Sequence, residues 1–145
     1  MTHKPRVFID ADVLFSGAVA PTQQGASLVV LRMAEITLID ALVSRQVVVE
    51  AERNLEEKIP QALPAFRLIV QRSLTVIADP SADEIQPFIG RAHPKDLPIL
   101  VAALTNHCPW LVTFNVRHYQ PGHPDVTILR PGAFILQVRD LLSRL

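Results

Sequence analysis

Cysteine is nearly absent from this chain. Cys108 stands alone among 145 residues, which excludes an internal disulfide and any zinc site built on several thiolates. Flanked by His107 and Pro109, it reads as a buried, inert thiol. Long apolar runs are absent too: the longest, at 99–104 and 47–49, fall far short of the ~20 residues a membrane-spanning helix needs. The opening MTHKP has no apolar stretch of the secretory kind, so the expectation is a cytoplasmic protein with no membrane partner. Net charge is also missing, fourteen basic residues against fourteen acidic ones. That argues against sequence-independent coating of nucleic acid, where phosphate contacts dominate affinity. It leaves room for an enzyme that holds a short stretch of nucleic acid in a local groove. Lysine is scarce, three against eleven arginines, and arginine is the better phosphate fork. What the chain does have is hydrophobic residues, 49% of the total, with 19% charged and a mean hydropathy of +0.26. This is the composition of one globular domain, residues 1–145, with a well-filled core.

Along the chain, short apolar segments alternate with stretches of helical periodicity. Val7-Phe8-Ile9 reads as a parallel strand covered on both faces. A polar turn at 21–25 leads into ASLVVLRMAE, apolar at helical spacing. Ile36-Thr37-Leu38-Ile39 is β-branched and apolar, the composition of a second strand. Residues 43–58 and 61–72 read as amphipathic helices, and 74–77 as a third strand. A short helix is expected within 83–89, and an almost wholly apolar one at 97–106 with Pro98 in its first turn. Residues 110–113 and 126–129 supply strands four and five, and 132–144 a closing helix. The alternation predicts an α/β fold, a three-layer sandwich with a mostly parallel five-stranded sheet. In such sheets ligands gather beyond the carboxyl ends of the strands, where the strand order switches. Attention therefore falls on Asp10-Ala11-Asp12 after strand one and Thr113-Phe114-Asn115 after strand four.

If the sandwich forms, Asp10, Asp96 at the start of the apolar helix, and Asn115 converge in one cleft, with Glu50 on the helix after strand two. Several carboxylates cannot all stay ionised in a low-dielectric cleft without a cation. Oxygen ligands point to a hard one, Mg²⁺ or Mn²⁺. Read locally, each residue has another use. Asp96 before Pro98 serves equally well as a helix N-cap. An aspartate after a strand commonly makes a turn, though for Asp10 this is the weaker alternative. Periodicity does not choose between Glu50 and Glu52, which flank the apolar stripe of their helix on opposite sides. His118 and His123, without further cysteines, are far from a zinc-finger spacing and read as loop histidines.

The stretches VFIDADVLFSG, VVVEAERNLEEK, HPKDLPILVAAL and LVTFNVRHY, in this order over roughly residues 6–130, resemble the PIN domain (PilT N-terminus) family, including the VapC-type toxin ribonucleases. The resemblance implies a Mg²⁺- or Mn²⁺-dependent endoribonuclease, in which water attacks an RNA phosphodiester in line and leaves a 5′-phosphate. It places acidic metal ligands at Asp10, Glu50 and Asp96, with Asp10 and Asp96 the most direct and Glu50 a ligand or a water-orienting base. The fourth, commonly acidic position falls on Asn115, and His118 stands where some members have another aspartate, so both replacements remove a negative charge. Asn115 would offer a carbonyl oxygen or position water, and His118 would meet a phosphate. Asp12 stands where the family often has asparagine and partly restores the charge as a supporting carboxylate. Thr113 would hold the Asp10 carboxylate or a substrate phosphate, and Arg117 and Arg91 are placed for contacts to the RNA strand. The same resemblance implies a homodimer and a small antitoxin protein whose tail enters the cleft. Two other functions compete. A phosphoacceptor receiver domain would need a lysine after strand five, and none follows Lys95. A PIN scaffold weakened in catalysis, binding RNA or a protein, is kept alive by Asn115 and His118.

Overall fold

The computed structural model describes residues 4–19 and 25–144; the turn expected at 21–25 lies outside them but for its last residue. Its first strand, β1 (Arg6–Ile9), carries Val7, Phe8 and Ile9, all fully buried. Successive strand residues point to opposite faces, so both faces of β1 are covered. From β1 the chain enters helix α1 (Ala11–Val19) with no loop between. The Asp10 N–H donates to the Val112 carbonyl and prolongs the strand ladder. The Asp10 carbonyl accepts from the N–H groups of Val13 and Leu14 and opens the helix. The run Val13-Leu14-Phe15, which has no helical signature of its own, is thereby coiled, with Val13 and Leu14 fully buried. Helix α2 (Ala26–Glu35) packs so closely on α1 that a methyl group at Gly17 would run into Leu31.

The second strand is not where the β-branched run 36–39 places it. It is β2 (Asp40–Ser44), paired in parallel with β1 from Arg6↔Asp40 onward. Residues 36–38 instead close α2: the N–H groups of Ile36, Thr37 and Leu38 return to the carbonyls of Arg32, Ala34 and Met33. Thr37 takes a left-handed φ of 63°, which no strand accommodates. Asp40 is admitted to the start of β2 by Arg6, 3.6 Å away. Helix α3 (Arg45–Lys58) consequently starts two residues later than its periodicity suggests, and Val43 is a strand residue facing Val76. Ser44 caps it, its hydroxyl accepting from the Val47 N–H at 3.4 Å. Val47, Ala51 and Leu55 form the buried stripe.

After a 3-10 turn at Pro60–Ala62 come helix α4 (Leu63–Ser73), strand β3 (Thr75–Ile77) and the one-turn helix α5 (Ala82–Ile85). Helix α6 (Leu97–Thr105) has Pro98 in its first turn as expected, and Leu97 and Ile99 through Ala103 are buried. Strands β4 (Trp110–Val112) and β5 (Thr127–Leu129) precede the closing helix α7 (Pro131–Leu142). The sheet is wholly parallel, in the order β3-β2-β1-β4-β5. It is the α/β architecture the alternation predicts, with seven helices around the sheet among the described residues. The chain lays β2 and β3 on one side of β1, then returns to lay β4 and β5 on the other. The switch in strand order thus falls between β1 and β4, directly below Asp10 and Thr113. Among the described residues no helix is long and apolar enough to cross a membrane.

Candidate active site

Asp10 occupies the carboxyl end of the central strand and is 5% exposed. Its Oδ1 accepts the Ala11 N–H at 2.8 Å. Its Oδ2 accepts two hydroxyls, Thr113 Oγ1 at 2.8 Å and Tyr119 OH at 2.7 Å. Burial pushes the Asp10 carboxyl above its ordinary range, and the charge of Asp96 adds to this. The hydrogen bonds from Tyr119, Thr113 and Ala11 pull the other way without cancelling it. Thr113 is fully buried, and its own oxygen accepts the Asn115 N–H at 3.0 Å.

Asp12, in the first turn of α1, reaches across the switch point to the loop after β4. Its Oδ2 accepts the Phe114 N–H at 3.0 Å and the Asn115 side-chain amide at 3.2 Å. The single proton of the Thr113 hydroxyl goes to Asp10, since Asp12 Oδ2 lies farther off at 3.4 Å. Asp12 Oδ1 is buried and has no hydrogen-bond partner among the described residues. Burial, and then the charge of Asp10, raise the Asp12 carboxyl to about 6 against the pull of the Phe114 N–H.

Asp96 precedes α6, and its carbonyl accepts from Ile99 and Leu100, but its carboxylate makes no capping bond. The helix-cap use of that side chain drops out. Its Oδ2 instead meets His118 Nδ1 at 3.0 Å, in the 3-10 turn Val116–Tyr119. The His118 and His93 rings lie 5.5 Å apart, and the His93 N–H donates to the His118 carbonyl at 2.7 Å. Glu50, half-buried on α3, faces Lys95 Nζ at 3.6 Å. The two line an open groove of about 450 Å³ with Arg45, Gln46, Arg53 and Asp79. Gln46 braces this wall, its N–H on Asp79 Oδ1 at 2.9 Å and its side-chain amide on the Lys95 carbonyl. Arg117 is exposed on its turn, and Arg91 Nη1 reaches the Gly122 carbonyl at 3.4 Å.

Asp10, Asp12, Thr113 and Asn115 are therefore brought into one hydrogen-bonded cluster, with Asp96 near enough for its charge to be felt by Asp10. Glu50 is engaged with Lys95 on the flank. Tyr119 is the residue the sequence reading passed over. A buried phenol needs a hydrogen-bond partner, and this chain has one tyrosine, closing the stretch LVTFNVRHY. Lys95 and His93, beside Asp96 in HPKD, were likewise missed as partners of Glu50 and His118.

No three His, Cys, Asp or Glu side chains among the described residues stand together closely enough to hold a metal ion by themselves. Magnesium does not require such a cage: it commonly takes one or two carboxylates and completes its shell with water and substrate phosphate. The orphaned, buried Oδ1 of Asp12 beside the desolvated Asp10 carboxylate is the donor chemistry such an ion uses, and the residues present fit it.

No curated protein matches the chain. Among solved structures it is similar to the crystal structure of PAE2754 from Pyrobaculum aerophilum, at 14% identity and a TM-score of 0.67. The likeness covers 97% of this chain and 99% of that one, and it shows a shared fold. The sequence model of the PIN domain matches residues 6–117, from the first residue of β1 to two residues past Asn115. On that match, which takes in every strand that borders the cleft, the chain belongs to the PIN domain family, a fold of nuclease type.

Proposed function

We propose that this chain is a metal-dependent ribonuclease, a single PIN domain over residues 1–145 acting as the toxin of a toxin–antitoxin pair. The observation that carries the reading is the unpartnered, buried Asp12 Oδ1 next to the desolvated Asp10, two carboxylates at the switch point with only neutral donors around them. Asp10 and Asp96 would hold Mg²⁺ or Mn²⁺ most directly, with Asp12 in support and Glu50 as a further ligand or as the base that orients water. The ion, when bound, would offset charge on the phosphate and make water easier to deprotonate. The chain's own groups do the rest. Thr113 and Asn115 fix the two aspartates, keeping the donors aimed before substrate arrives. Arg117 and Arg91 offer guanidinium groups to the RNA phosphates, and His118 aligns Asp96 while its other ring nitrogen is left for a phosphate oxygen. Membership of the family also supports a homodimer and a small antitoxin whose tail enters the cleft.

The test is cleavage of a mixed RNA pool with Mg²⁺ or Mn²⁺, beside an EDTA control and the Asp10→Asn variant. Cleavage that survives chelation or the substitution rejects the metal mechanism. Growth arrest on expression, relieved by a co-expressed neighbouring small protein, tests the toxin role, and light scattering tests the dimer. A second reading is a PIN scaffold of weakened catalysis that binds RNA or protein. The Asn115 amide on Asp12 and the His118 ring on Asp96 favour it, because Asn115 sits where the family commonly has an acid and His118 where some members have one. RNA retention without cleavage under any metal selects that reading.

A further inference from the structure

An ionised carboxylate offers about four lone-pair sites. In Asp10 three are taken: Ala11 holds one on Oδ1, while Thr113 and Tyr119 hold both on Oδ2. We infer that Tyr119 is a positioning residue that decides how Asp10 meets a divalent cation. With Oδ2 filled, only Oδ1 is left to bind, so Asp10 serves as a one-oxygen ligand. This rests on the metal-dependent reading above and deepens it, since it assigns the site its ion preference.

Two features separate this role from that of a core tyrosine that merely finds a partner. The Tyr119 ring is 1% exposed, so the phenol cannot swing to solvent and release Oδ2. It also neighbours His118 on one 3-10 turn, and these two residues touch Asp10 and Asp96 respectively. One short turn thus sets the orientation of both carboxylates proposed to hold the ion. Magnesium is small, wants near-ideal octahedral geometry and takes carboxylates through single oxygens. Calcium is larger and readily takes a carboxylate through both. A donor that blocks the second oxygen therefore favours the smaller ion.

The experiment is calorimetric titration of the RNA-free protein with Mg²⁺, Mn²⁺ and Ca²⁺, for wild type, Tyr119→Phe, Thr113→Val and Asp10→Asn. Phenylalanine keeps the ring and removes only the donor. The expected result is a rise of about tenfold in the preference for Ca²⁺ over Mg²⁺ in Tyr119→Phe, the scale on which partners behind a ligand act. Thr113→Val, which frees the other site on Oδ2, is expected to shift the ratio the same way. A ratio unmoved in both variants, including one where both ions weaken equally, overturns the inference and leaves Tyr119 a structural residue. If wild type binds the ions and Asp10→Asn does not, the metal reading stands whatever Tyr119 does. If wild type and Asp10→Asn do not differ, both fall together.

Discussion

Asp10 and Asp12 on the inner wall of the cleft, and Asp96 and Glu50 on the outer wall, meet their charge in opposite ways. The inner pair is held by backbone N–H groups, hydroxyls and an amide, all neutral. The outer pair has cationic or protonatable partners, His118 at 3.0 Å and Lys95 at 3.6 Å. Neutral donors orient a carboxylate and moderate its desolvation, but they leave the net charge in place. The inner wall therefore keeps an unbalanced charge that a cation relieves, whereas Glu50 on the outer wall already has the Lys95 ammonium beside it. Orientation without neutralisation is what preorganised metal sites share, and it distinguishes these two walls more sharply than residue type does.

The contrast can be broken first at Asp10. Asp10→Asn is expected to lower RNA cleavage by more than the about 100-fold that loss of a group behind a metal ligand costs, and EDTA to do the same. Glu50→Gln should cost less, about tenfold, because Lys95 already answers its charge. An equal loss in the two variants erases the distinction between the walls. Asp12 gives a third measurement. Its folded-state value of about 6 lies above the unfolded 3.8, so the folded protein binds a proton in that window. The Asp12 contribution to stability is therefore present below pH 3.8 and lost as pH rises through about 6. Asp12→Asn should raise the melting temperature of metal-free protein at pH 7.5 and flatten its pH dependence over that interval, and saturating Mg²⁺ should act likewise on wild type. The smallest effect belongs to Lys95→Met. An ion pair this exposed contributes about 0–1 kcal/mol, and urea unfolding should detect little change.

The parts of the fold legible in the sequence were those where one local signal acted alone. The continuous apolar runs of β1 and β4, and the crowded helix α6, declare themselves because burial on all sides leaves no polar face to confuse the pattern. β2 was misplaced because Ile36-Thr37-Leu38-Ile39 has strand composition, while the left-handed Thr37 and the returning N–H groups make it a helix stop. Asp40 and Ser44 disguise the true strand, each polar for a reason outside it, one meeting Arg6 and the other capping α3. α1 went unassigned because its first turn is specified by the carbonyl of the residue that ends β1. In the cleft, the sequence offered candidate residues but not their pairings. The bonds of Asp10 to Thr113 and Tyr119 span more than a hundred residues of chain, and no local pattern encodes them. Glu50 and Asp96 stand out in the sequence, yet their partners Lys95 and His118 became evident only once α3, the HPKD turn and the turn after β4 were in place.

Cys108 lies just beyond the far end of α6. It is 1% exposed, and burial lifts its thiol to about 11, so in the folded protein it is both hidden and protonated. A thiol-reactive reagent can modify it only when the packing around the connection from α6 to β4 opens. The two elements so joined carry the site, since α6 follows Asp96 and β4 leads into Thr113. As the chain's sole thiol, Cys108 turns a labelling time course into a single-hit clock for the opening of the site's own scaffold. The clock should slow when a divalent cation binds, by the factor that binding adds to the opening equilibrium. It therefore reports the ion's grip on the folded chain without RNA, product or catalysis.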